Sequence, residues 1–123
     1  MSQGIFINHT NHPSDGWEEV QVQAAEAYGK VVDLPFPSVS PELNREDVHA
    51  LAEKFLARIL DRNPAAVLCQ GEFSYTYAMV NLLKMHHITA LAASSERIVE
   101  KVKGMDGVEK KVSVFRFVRF REY

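Results

Sequence analysis

Four short apolar runs, each ended by residues that break extended structure, constrain this chain most: Gly4–Ile7, Val31–Leu34, Ala65–Cys69 and Ile88–Ala92. They are too short for helices and largely lack polar alternation, so they read as strands buried on both faces. Between them lie segments of helical periodicity. Trp17, Val20, Ala24, Ala27 and Tyr28 follow Ser14-Asp15-Gly16 at helical spacing, with Gly29 as the stop. Val48, Leu51, Ala52, Phe55 and Ile59 mark an amphipathic helix over about 44–62, closed by Asn63-Pro64. A largely apolar helix then runs from Ser74 to Lys84. Strands alternating with helices require crossover connections, which make the strands parallel and cover both faces of the sheet. The expected fold class is α/β: a Rossmann-like three-layer α/β/α sandwich with a mostly parallel sheet of four strands.

The last quarter has a different pattern. Arg97–Val102 and Val108–Phe120 are rich in β-branched and aromatic residues and flank Asp106-Gly107. That turn signal predicts a C-terminal antiparallel hairpin. The competing reading is a short helix over 95–103 followed by one strand, since Glu96, Glu100 and Lys101 suit a helix.

Size and charge narrow the function classes. Residues 1–123 fit a single domain able to bury a core without disulfides. The formal net charge of −2 supplies no field for long nucleic acid. Cys69 is the single cysteine, and Met1-Ser2-Gln3-Gly4 lacks the basic and apolar regions of a signal peptide. No apolar stretch approaches the roughly 20 residues of a membrane span. A cytoplasmic location is expected. Scattered histidines and one cysteine give no zinc-type spacing, so neither metal nor cofactor is expected.

In open α/β sheets ligands bind beyond the carboxyl ends of the strands. That rule selects Asn8–Ser14, Gln70–Ser74 and Ser94–Arg97. Gly71 would let backbone approach a phosphate or ribose, and the following helix N-terminus favours an anion. Glu72 would act as a base, bond a ribose hydroxyl or pair with Arg97; the plainer reading is a helix-entry turn with Glu72 at the positive dipole end and Ser74 capping. His9, among Asn8, Thr10, Asn11 and His12, is a candidate acid or base, against the plainer role of solvating and capping the first helix. Ser94, Ser95 and Arg97 offer a phosphate grip or an ordinary surface turn. His86-His87 reads as a helix end, His49 as surface and Cys69 as a buried thiol. Phe115-Arg116-Phe117-Val118-Arg119-Phe120-Arg121 alternates aromatic and basic residues, which suits single-stranded nucleic acid or, more plainly, a strand at a dimer interface.

With Ala66–Tyr77, Met79-Val80-Asn81, Ser94–Arg97, the opening Phe6–Pro13 and the ending Phe117–Tyr123, the sequence resembles small stand-alone CRISPR-associated proteins of type III systems. These carry the CRISPR-associated Rossmann (CARF) fold, and several are ring nucleases. The resemblance runs nearly end to end and is most distinctive at Gln70-Gly71-Glu72 and in the C-terminal motif. It implies a homodimer that binds cyclic oligoadenylate, most often the four-membered ring, and cleaves it without metal by ribose 2′-hydroxyl attack. That cleavage would switch off the antiviral response. On this reading Gln70, His9 and Glu72 assist cleavage, while Asn8, Thr10, Asn11, Gly71, Ser74, Ser94, Ser95 and Arg97 hold the ligand. A non-cutting binder and a nucleotide enzyme unrelated to CRISPR are the alternatives.

Overall fold

The computed structural model describes residues 4–123. Strands β1 (Ile5–His9), β2 (Lys30–Asp33), β3 (Ala66–Cys69), β4 (Thr89–Lys103) and β5 (Glu109–Glu122) form one sheet in the order β2-β1-β3-β4-β5. Helices α1 (Glu19–Glu26), α2 (Arg45–Arg62) and α3 (Phe73–Met85) complete the α/β architecture. β1 pairs in parallel with β2 and β3, and β3 with β4, whereas β5 runs antiparallel to β4. The sheet is therefore mixed. It is not a four-stranded parallel sheet with a separate hairpin, because the hairpin's first arm is β4 itself.

Alternation along the strands builds two cores. Ile7, Val67, Cys69 and Ala90 face α2 and α3, where Ala52, Ile59, Tyr75, Met79 and Leu83 close over them. Phe6, Ala66, Leu68 and Leu91 face the other way, toward Ala25 of α1, with Trp17 and Phe120 at the margin. All four residues of β3 are buried, which explains its unbroken apolar run. The ends of α2 follow from its flanks. Asn44 and Asp47 form a reciprocal capping box at its start. Asn63 ends it at φ 46, in the left-handed region that asparagine tolerates.

Three expectations change. β1 does not stop at Ile7 but continues through Asn8 and His9, both buried, since their side chains find hydrogen-bond partners. Trp17 lies before α1, after a 3-10 turn at Ser14–Gly16, and packs edge-on against Phe6 with ring centres 6.2 Å apart. Its helical spacing from Val20 is coincidental, and Val20 is 58% exposed. Finally, residues 95–103 are neither helix nor a separate arm: the strand runs unbroken through Ser94-Ser95-Glu96-Arg97, with a register shift between Ser94 and Ser95.

β4 pairs with β3 only over Thr89–Leu91. From Ala92 outward its strand partner is β5, making a two-stranded ribbon roughly 40 Å long at ~3.3 Å per residue. Such a ribbon buries little on either face, so a polar run that reads as a loop is compatible with strand. Asp106-Gly107 forms the expected turn, with Gly107 at φ +80 and Asp106 accepting from the Val108 amide at 3.1 Å. Among the described residues no helix is long and apolar enough to cross a membrane.

Candidate functional site

The carboxyl ends of β1, β2, β3 and the parallel part of β4 converge on one edge of the sheet, where the sequence-selected residues have distinct roles. Asn8 is buried and donates through Nδ2 to Asp33 Oδ1 and to the His12 carbonyl, both at 2.9 Å. Thr10 donates to Asn8 Oδ1 at 2.7 Å and accepts from the His12 amide at 3.1 Å. Ser14 closes the loop by donating its amide and hydroxyl to Asp33. Asn8 and Thr10 thus fold the first loop instead of facing a ligand. Asn11 is exposed at its tip.

His9 is fully buried among the rings of Phe36, Phe55 and Tyr75. Its Nδ1 is 2.7 Å from the Leu34 carbonyl and its Nε2 2.7 Å from the Tyr75 hydroxyl. A carbonyl can only accept, so Nδ1 carries the proton, and in the neutral ring that burial favours, Nε2 accepts from the Tyr75 hydroxyl. Burial pushes the His9 pKa down, against the smaller upward pull of Leu34, and pushes the Tyr75 phenol up. Both ring nitrogens of His9, expected to act as acid or base, are thus engaged inside the chain and neither reaches solvent.

Gly71 and Glu72 also change meaning. A Cβ on Gly71 would lie 2.6 Å from the Phe36 ring, so glycine is required by Phe36 packing against the turn. Glu72, not Ser74, is the N-cap of α3, accepting from the Ser74 amide at 3.0 Å and the Tyr75 amide at 2.8 Å. These bonds, Tyr75's foremost, hold its carboxyl below the usual range. The carboxylate occupies the place a phosphate would take at that helix end, and its lowered pKa makes it a weaker base than an ordinary carboxylate.

Gln70 accepts from the Ala93 amide through Oε1 at 2.6 Å, which leaves its Nε2 donor for other partners. That bond seats Gln70 beside Ser94. Ser94 pairs with Arg119 and Ala92 with Arg121. By alternation these side chains lie on the α3 side of the sheet, while Ser95 and Arg97 turn to the α1 side. Arg97 donates from Nε and a terminal nitrogen to Ser113 Oγ at 3.1 and 2.9 Å, away from Gln70. Gln70 is therefore tied to the backbone next to Ser94, while Ser95 and Arg97 turn to the other side of the sheet. Arg119 and Arg121, which the aromatic and basic alternation of the tail marked, lie on the same side of the sheet as Ser94.

Burial pushes the Cys69 thiol to about 12, so it is not a nucleophile. Among the described residues no three His, Cys, Asp or Glu side chains gather as a metal site.

A mixed five-stranded sheet with helices on both faces defines an α/β domain. The chain belongs to the family described as "Uncharacterized protein MJ1673 family", whose model matches residues 4–121. No curated protein and no solved structure matches it.

Proposed function

We propose that this chain is a CARF-like, Rossmann-type protein that binds cyclic oligoadenylate, chiefly the four-membered ring, across a homodimer. It opens the ring slowly without metal and so ends type III CRISPR antiviral signalling. The observation that carries this reading is the fixed pose of Gln70: with Oε1 held by Ala93, it adds a donor beside the Ser94 hydroxyl at the strand ends. The likeness of the Gln70-Gly71-Glu72 segment and the C-terminal motif to such proteins supports it. In the reaction a ribose 2′-oxygen bonds to the adjacent phosphorus, the P–O5′ bond breaks, and the 2′-hydroxyl proton ends on the departing 5′-oxygen. The products carry 2′,3′-cyclic phosphate and 5′-hydroxyl ends. With His9 and Glu72 engaged elsewhere, the chain's part is to hold the 2′-hydroxyl in line and to stabilise charge.

The engagement of those two groups favours one second reading, a binder that sequesters the ring uncut. Incubating the protein with labelled cyclic tetra-adenylate in EDTA separates them. Linear products ending in 2′,3′-cyclic phosphate are expected. Tight binding with an intact ring over many hours selects the binder, and absence of binding defeats both.

A further inference from the structure

We infer that the groove between α3 and the end of β5 is a nucleobase pocket and that Arg121, with Arg119 beyond it, holds the attached phosphate. The groove, about 660 Å³ in volume, is lined by Phe73, Tyr77, Val80, Asn81, Lys84 and Tyr123, with Thr76 at its wall. Its size falls within the ~300–1,000 Å³ usual for small-molecule sites.

Three features select a base over a generic apolar ligand. First, aromatic residues from two elements line it. Phe73 is 90% and Tyr77 75% exposed, and no packing within the chain accounts for either. Tyr123 is held by its hydroxyl to the Cys69 carbonyl at 2.7 Å and by its amide to the Ala90 carbonyl at 3.0 Å. Flat, fixed rings are what base stacking uses. Second, the wall offers a polar group to read a base edge: the Asn81 amide can both donate and accept. Third, the antiparallel register sets Tyr123, Arg121 and Arg119 in succession on this side of the sheet, toward Gln70 and Ser94. Among the described residues neither Arg119 nor Arg121 is in an ion pair. Glu96, next outward along this face, pairs in register with Arg116, and Arg116 bonds Glu100 at 2.9 Å. Glu96 and Glu100 thus lie on the outer side of the arginines, and Glu72 at the start of α3 is engaged by the Ser74 and Tyr75 amides.

This site takes a nucleoside phosphate, and it rests on the proposed function only for the choice of adenine. Titration of the full chain with adenosine 5′-monophosphate, followed by amide chemical shifts, tests it. Shifts confined to Phe73–Lys84 and the C-terminal residues are expected, with adenosine and inorganic phosphate each binding more weakly. Arg121→Ala should weaken the nucleotide about tenfold, the scale of a charge-assisted hydrogen bond. Phe73→Ser, at a nearly fully exposed position that leaves the core alone, should weaken adenosine as well. Arg97→Ala, on the other side of the sheet, should change neither. Nucleotide shifts mapping elsewhere, or an unaltered affinity in Arg121→Ala, overturn the inference. Cyclic tetra-adenylate run on the same samples separates the two claims. A ring that binds without touching the groove defeats the pocket and leaves the proposed function. Monophosphate that binds in the groove while the ring does not bind upholds the pocket and defeats the function.

Discussion

At the residue scale, polar side chains at the strand ends divide into those consumed by folding and those left for a ligand. His9 illustrates the first kind. Its pKa is lowered from 6.5 by burial, so the unfolded chain binds more protons than the folded one as pH falls through that value. The stability contributed by the neutral ring is full above about 6.5 and is lost on acidification toward the depressed folded value. Urea midpoints should therefore fall between pH 7.5 and 5.5, and His9→Ala should flatten that fall. The same variant leaves Tyr75 unpartnered beside a cavity and should cost about 2–4 kcal/mol at pH 7.5. Glu72, whose pKa is lowered by its backbone bonds, adds a separate loss below its ordinary value of 4.5. Gly71→Ala drives a methyl into the Phe36 ring and should cost about 1–3 kcal/mol by chemical denaturation. Adding Phe36→Leu should return part of it, and strictly additive losses would discount the steric account. The sequence marked Gly71 and Glu72 as special but left their reasons open. The contact that explains Gly71 comes from Phe36, far along the chain, and no local pattern shows it.

At the element scale, legibility tracked how strongly burial dictates pattern. β3 and α2 were readable because one is closed on both faces and the other carries its capping box in its own residues. β4 was readable in two pieces, Ile88–Ala92 against the core and Arg97–Val102 as a hairpin arm, but not as one continuous strand. Beyond Ser94 no buried face disciplines the sequence, so Ser-Ser-Glu-Arg carries no strand signal, and its partner across the ladder decides the conformation. Ser94 and Arg97 consequently lie on opposite sides of one strand, whereas a loop would have let both point at one ligand. The first helix was over-read for a related reason: Trp17 packs on Phe6 from outside the helix, and its periodicity with Val20 meant nothing. The ribbon's opening should be separable from that of the core. In hydrogen exchange, amides of Ile98–Lys103 and Lys110–Val114 should exchange far faster than those of Ala66–Cys69 in dilute protein. Equal protection in dilute monomer would show the ribbon to be as cooperative as the sheet.

At the scale of the whole molecule, the ribbon is what a lone chain leaves unfinished. Two strands without a third, or without a helix against them, are marginal in water. Here Val99, Val102, Val112 and Phe115 are all more than 40% exposed along the ribbon. Val99 and Phe115 lie on one face of the ribbon and Val102 and Val112 on the other, and a second copy related by a two-fold axis would cover the same face of each chain at once. That symmetry also matches the two-fold symmetry of a four-membered ring. The expected outcome is a concentration-dependent dimer in sedimentation, tightened by cyclic tetra-adenylate. Val102→Lys with Phe115→Ser should shift the protein toward monomer while leaving its urea midpoint at low concentration near that of wild-type monomer, because both positions lie beyond the two cores. The ribbon amides should become protected as protein concentration rises, and the double variant should lose that protection. A protein that stays monomeric at micromolar concentration, with and without the ring, would exclude self-association. The ribbon would then be an arm for a different macromolecule, and any ring bound would have to be held by one copy alone.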